Sequence, residues 1–69
     1  MIATQLLDYY IEQSGLKISF IVEKLGISRN GFDKKRKGLI PFRVSEVYVL
    51  CDLLHIPNDE KPKIFYPKG

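Results

Sequence analysis

The sequence is short of the residues that disulfide, metal and catalytic sites require. It has one cysteine, Cys51, and one histidine, His55. A lone cysteine cannot form a disulfide within the chain, and a single histidine without nearby thiols does not indicate a metal site. No nucleophile, base and orienting group stand at a recognisable spacing. We therefore expect no enzyme activity and no cofactor, with Cys51 as a small core residue and His55 at a helix end.

Long apolar runs and targeting signals are also missing. No run approaches the roughly 18 apolar residues of a membrane span, and residues 1–5 lack the basic start and small-residue cleavage site of a signal peptide. The 69 residues suffice for one domain and not for two. These features predict a single cytoplasmic domain over residues 1–69 with no membrane partner.

The basic residues are concentrated in one segment. Residues 29–43 contain six basic side chains and one acidic one, a charge of +5, whereas the remainder has five basic and seven acidic residues, a charge of −2. A solvated surface helix would explain such a run without any function. The separation of charge also suits a protein that presents one face to a polyanion.

Apolar residues recur at helical spacing between glycine and serine residues, and no strand pattern or repeat is present. Gly15, Gly26 and Gly38 are placed to end helices, and Ser28 is placed to cap one. The sequence does not decide whether a short fifth helix forms with Asn58 as its cap, because Pro62 follows. The pattern predicts an all-α domain of four or five short helices. The four clear helices cover residues 2–14, 18–25, 29–37 and 44–54.

Two segments are distinctive. In the third predicted helix Phe32 is the only large apolar side chain, so this helix gains little from burial and is kept for its outer face. Gly31 there costs about 1 kcal/mol of helix propensity relative to alanine. The apolar connection 39–42 is expected to pack down as a lid on the core.

The second and third predicted helices carry a recognisable motif, residues 18–38, ISFIVEKLGISRNGFDKKRKG. It resembles the helix-turn-helix of the Cro and repressor family (the Xre-type domains), and especially the small Cro-like proteins of prophages. Gly26 falls at the turn position and Gly38 at the end of the recognition helix. The apolar residues fall at the fourth, eighth, tenth and fifteenth motif positions: Ile21, Leu25, Ile27 and Phe32.

The resemblance implies a lambda-repressor-like fold that places its third helix in the major groove of an operator. Arginine can bond guanine and asparagine can bond adenine through two atoms each. The implied base-reading residues are Arg29, Asn30, Asp33 and Lys34. The implied phosphate contacts are Lys17, Ser19, Ser28, Lys35, Arg36, Lys37 and Arg43.

The chain departs from the family pattern at three motif positions. Ile18 replaces a frequent glutamine, Val22 replaces a frequent alanine, and Lys35 replaces an apolar residue. We expect Lys35 to lay its stem inward and turn its charge toward solvent.

Two functions remain open at this level. The first is a sequence-specific DNA-binding transcriptional regulator, a Cro-like repressor that occupies its operator and blocks polymerase. The second is a protein-binding antirepressor on the same fold, which an exposed patch of Phe32, Phe42 and residues 64–66 would favour. Ile64, Phe65 and Tyr66 are candidates for a homodimer contact, and packing against the chain's own first helix is the alternative.

Overall fold

The computed structural model describes residues 3–66, and its five short helices confirm the all-α part of the predicted fold. No strand occurs among these residues, and none of their helices has the length and apolarity needed to cross a bilayer. The second and fourth helices have the predicted bounds. The first begins at Thr4, and the predicted start at Ile2 lies outside the described residues. The helices are α1 (Thr4–Ser14), α2 (Ile18–Leu25), α3 (Arg29–Arg36), α4 (Val44–Leu54) and α5 (Lys61–Phe65).

The connection between α2 and α3 is built by local hydrogen bonds. Gly26 ends α2 in the left-handed conformation (φ 71°), which glycine adopts without strain. The Ser28 hydroxyl oxygen then accepts from the Gly31 backbone N–H at 3.0 Å and caps α3. A Cβ at Gly31 would lie 3.2 Å from that hydroxyl oxygen. An alanine at this position would therefore require the Ser28 side chain to shift by a few tenths of an ångström.

The core lies where all five helices meet. Each helix contributes one large, fully buried apolar side chain to it. Helix α4 packs against both α1 and α2, and α3 contacts both as well. The five central residues are Leu7, Ile21, Phe32, Leu50 and Ile64.

The C-terminal segment belongs to this core. Residues 58–60 form a turn, and α5 begins after Glu60 without a side-chain cap, so the predicted cap at Asn58 is wrong. Ile64 and Phe65 are buried, and the Ile64 carbonyl oxygen accepts from the Ala3 backbone N–H at 2.7 Å. The predicted dimer contact through these two residues is therefore wrong. Packing against α1, the alternative, is observed, and only Tyr66 stays exposed.

The connection before α4 packs down only in part. Phe42 is half-buried, with edge-to-face contacts to Phe32 (6.4 Å between ring centroids) and to Phe65 (5.7 Å). Leu39 and Ile40 instead remain 72% and 40% exposed. The predicted lid is thus correct for Phe42 and wrong for Leu39 and Ile40.

Candidate nucleic-acid interface

The exposed side of α3 carries polar and basic residues opposite its single apolar anchor. Phe32 is fully buried, and Asn30, Lys34 and Lys37 recur at intervals of four and three residues on the other side of the helix. All three are exposed, as is Arg29 at the first helical position. The side of α3 turned from the core therefore presents one amide and two ammonium groups, and the Arg29 guanidinium is exposed at the N-terminal end of the helix.

These side chains are left out of the intramolecular ion pairs. Within residues 3–66 the ion pairs join Lys35 to Glu46, Arg36 to Asp8 and Lys63 to Glu60. The arrangement leaves Arg29, Lys34 and Lys37 available to an external anion. We call Arg29, Asn30, Lys34 and Lys37 the outer face of α3.

Three predicted phosphate contacts lie at helix starts outside α3. Lys17 is the N-cap residue of α2, Ser19 lies in its first turn, and Arg43 is the N-cap residue of α4; all three are exposed. Ser28 is also exposed, but its oxygen caps α3 and only its hydroxyl hydrogen is left to donate. These residues could extend a basic surface beyond α3.

Asp33 and Arg36 are turned toward α1 and not toward the outer face. The Arg36 Nε donates to Asp8 Oδ1 at 2.6 Å, and both side chains are partly exposed. Asp33 is half-buried and lines a shallow cleft with Asp8 and Arg36, and Lys37 of the outer face lies at the same cleft. The base-reading role predicted for Asp33 and the phosphate contact predicted for Arg36 both compete with this polar cluster.

Lys35 occupies a different environment from the one expected. Its Nζ donates to both carboxylate oxygens of Glu46, at 2.6 and 2.7 Å, and only 12% of its side chain is exposed. The charge does not turn to solvent, so the expected phosphate contact would require the buried pair to break. Local sequence gave no sign of Glu46 as the partner, because it lies eleven residues away. The sequence feature that could have indicated a buried carboxylate nearby is a lysine at a motif position that is otherwise apolar.

Glu46 also holds the start of α4. Its Oε1 accepts from the Arg43 backbone N–H at 2.9 Å, three residues earlier. Burial by itself raises the pKa of the Glu46 carboxyl, but the hydrogen bonds from Lys35 and from the Arg43 backbone outweigh it and hold the pKa below the ordinary 4.5. Glu46 is therefore a buried carboxylate that stays ionised at neutral pH.

Cys51 and the metal-ligating side chains were the other candidates for a site within residues 3–66. Burial raises the pKa of the Cys51 thiol, although Lys61 opposes the shift, so the thiol stays protonated in the core. No group of three or more His, Cys, Asp and Glu side chains within residues 3–66 is arranged to hold a metal ion. Comparison of the chain with protein-family models, curated proteins and solved structures returned no match. The interpretation of the outer face of α3 therefore depends on the residues and the geometry of this chain alone.

Proposed function

We propose that the protein is a sequence-specific DNA-binding transcriptional regulator, a Cro-like repressor that inserts α3 into the major groove of its operator. The observation that carries the proposal is the outer face of α3, where Asn30, Lys34 and Lys37 lie opposite the buried Phe32 and Arg29 is exposed at the N-terminal end of the helix. A helix anchored on one side and polar on the other can enter a groove without exposing the core. The concentration of basic charge in residues 29–43 supports a polyanionic partner.

The proposed role of each residue follows from the chemistry of its side chain. Arg29 and Asn30, at the N-terminal end of α3, are proposed to read guanine and adenine through paired hydrogen bonds. Lys34 lies one turn further along and reaches either a base edge or a phosphate. Lys37 and Arg43 are proposed to bind phosphates beyond the C-terminal end of α3, with Lys17 and Ser19 doing so from α2.

The experiment that tests this proposal is a salt titration of binding to duplex DNA. Fluorescence anisotropy is measured first with the chain's own promoter region and then with a scrambled duplex of equal length. Each phosphate contact contributes about 0.9 to the slope of log affinity against log salt. Lys37→Ala should lower the slope by about one unit and leave sequence preference intact.

The control variant is Lys63→Ala, which removes the same charge from α5, where Lys63 pairs with Glu60 at 2.8 Å. We expect its slope to equal that of the wild type. No binding at low salt, or an affinity that does not depend on salt, would contradict the proposal.

A second candidate function rests on exposed apolar side chains. Ile40 and Tyr66 line a groove of about 320 Å³ together with Val47, and the exposed Val44 lies one helical turn before Val47. Such a surface suits an antirepressor that binds another repressor. Of the patch first expected, Phe32 and Ile64 are fully buried, whereas Phe42, Phe65 and Tyr66 line this groove. Salt-independent behaviour in the titration would favour this candidate.

We also propose that two copies bind a palindromic operator. One helix of eight residues reads few base pairs, and paired half-sites one helical turn apart supply the missing affinity and selectivity. Of the tail residues, Tyr66 is the exposed one and is the contact that this part of the proposal retains.

A further inference from the structure

A buried ion pair lies directly behind the outer face of α3. Glu46 is the one buried charged residue in the part of the chain that the structure describes, at 6% exposure. Both of its oxygens receive the Lys35 ammonium, and one of them also receives the Arg43 backbone N–H. Within residues 3–66 no buried side-chain nitrogen or oxygen lacks a hydrogen-bond partner. The pair is fully satisfied, so it imposes a defined geometry.

Stability alone does not account for such a pair. Removing two charges from water offsets most of their attraction, and well-packed apolar residues in their place are often equally stabilising or better. Apolar packing is not directional, however, whereas an ammonium held by two oxygens is. The property that distinguishes Lys35 and Glu46 from an apolar pair is therefore the orientation that they set.

The orientation in question is that of α3. Phe32 is its only fully buried side chain, so apolar packing fixes this short helix at a single point. Lys35 follows three residues later and connects the C-terminal half of α3 to the first turn of α4. The same carboxylate holds the backbone of Arg43, a proposed phosphate contact. One buried group thus joins the reading helix to the start of α4.

We propose that Lys35 and Glu46 are positioning residues for DNA reading, which set the angle of α3 and the place of Arg43 without touching DNA themselves. This inference rests on the proposed function. Because Arg29 and Asn30 must meet base edges within a few tenths of an ångström, a small rotation about Phe32 would weaken sequence selectivity more than overall affinity. If Lys35 contacted a phosphate instead, its loss would weaken overall affinity more than sequence selectivity.

The test replaces the pair by apolar residues of similar size, Lys35→Met with Glu46→Leu. Circular dichroism and urea unfolding establish that the double variant folds. We expect the ratio of affinities for preferred and scrambled duplex to fall about tenfold, within what one base contact through two atoms contributes. The salt slope should stay unchanged, whereas a Lys35 phosphate contact would lower it by about 0.9.

The matched control removes an ion pair outside the proposed interface, Lys63→Met with Glu60→Leu, which also leaves the net charge unchanged. That pair is partly exposed and contributes little, so selectivity should change less than about twofold. If the first double variant does not fold, Glu46→Gln keeps the shape and an acceptor for the Arg43 N–H but ends the two-oxygen contact. The same loss of selectivity at unchanged slope is expected.

A measurement without DNA separates the two proposals. Amide hydrogen exchange should become faster in residues 33–37 of the double variant, with the amides of α1 unchanged. Unchanged selectivity together with unchanged exchange in a folded variant would overturn the positioning role and leave the proposed function standing. A wild-type protein without sequence preference would overturn the proposed function, and the positioning role for DNA with it.

Discussion

The single apolar anchor of α3 makes a strong prediction about stability. Phe32 is fully buried, and its ring meets Phe42 edge-to-face at 6.4 Å. Truncation to alanine removes the ring from the core and leaves a cavity between α3 and its neighbours. Since no other large apolar side chain of α3 reaches the core, the helix cannot compensate from a neighbouring position.

The size of the effect follows from burial. A buried phenylalanine truncated to alanine costs about 3–5 kcal/mol. A domain of 69 residues has a free energy of unfolding of roughly 3–10 kcal/mol at 0.05–0.15 kcal/mol per residue. Phe32→Ala should therefore leave the protein close to unfolding at 37 °C. Phe32→Leu keeps most of the apolar volume and loses the aromatic contact, so about 1 kcal/mol is expected, or roughly 4–8 °C in Tm.

Urea and thermal unfolding followed by circular dichroism at 222 nm measure these changes. Tyr48→Ala is the control, because Tyr48 is an exposed aromatic residue on α4 and should alter stability by no more than about 0.5 kcal/mol. A Phe32→Ala variant within about 1 kcal/mol of the wild type would refute the single-anchor argument, and with it the reason for assigning α3 an orienting ion pair.

Two further predictions concern the buried carboxylate and assembly. Because the pKa of Glu46 is lowered in the folded protein, its contribution to stability is present above the ordinary 4.5 and is lost as pH falls through the lower folded pKa. Glu46→Gln should thus be less stable than wild type near neutral pH, and the difference should shrink as the pH falls from the ordinary 4.5 through the lower folded pKa; a difference in unfolding midpoint that stays constant over an acid titration would contradict this. Tyr66→Ser should weaken pairing of two copies on a palindromic duplex in sedimentation equilibrium, whereas Tyr9→Ser on α1 should not; equal pairing in both variants would exclude Tyr66 as the contact.

The helices were predictable where the signals are local. The bounds of α2 and α4 follow from an apolar stripe and from the residues that close each helix, Gly26 and His55. His55 is the C-cap residue of α4 and adopts the left-handed conformation (φ 54°) that ends the helix. The all-α class follows from the same punctuation. The sequence alone does not decide whether α5 forms, because a proline either breaks a helix or occupies its first turn. In the structure Pro62 lies in the first turn of α5.

The features that sequence could not supply depend on pairs of residues far apart in the chain. Lys35 and Glu46 lie on different helices, as do Arg36 and Asp8, and no local periodicity joins them. The burial of Ile64 was similarly undecided, since an apolar tail packs equally well on its own chain or on a second copy. The hydrogen bond from the Ala3 backbone N–H to the Ile64 carbonyl oxygen shows that the tail packs on its own chain. Exposed residues of α3 were easier to predict, because one buried phenylalanine fixes which side of the helix faces out.

The most direct test of base reading is at Arg29. It is the first residue of α3, it is exposed, and none of the ion pairs found within residues 3–66 includes it. If the Arg29 guanidinium bonds two acceptors of one guanine, Arg29→Ala should cost about 1–3 kcal/mol at that base pair and little elsewhere. The matched variant Arg29→Lys keeps the charge but not the fork, so it should lose the same preference while retaining the salt slope. Both variants are measured against a set of duplexes that differ from the preferred one at single base pairs. A uniform loss across the set would identify Arg29 as a phosphate contact, and no loss would remove it from the interface; only a loss confined to one position, shared by alanine and lysine, agrees with reading of a base by this side chain.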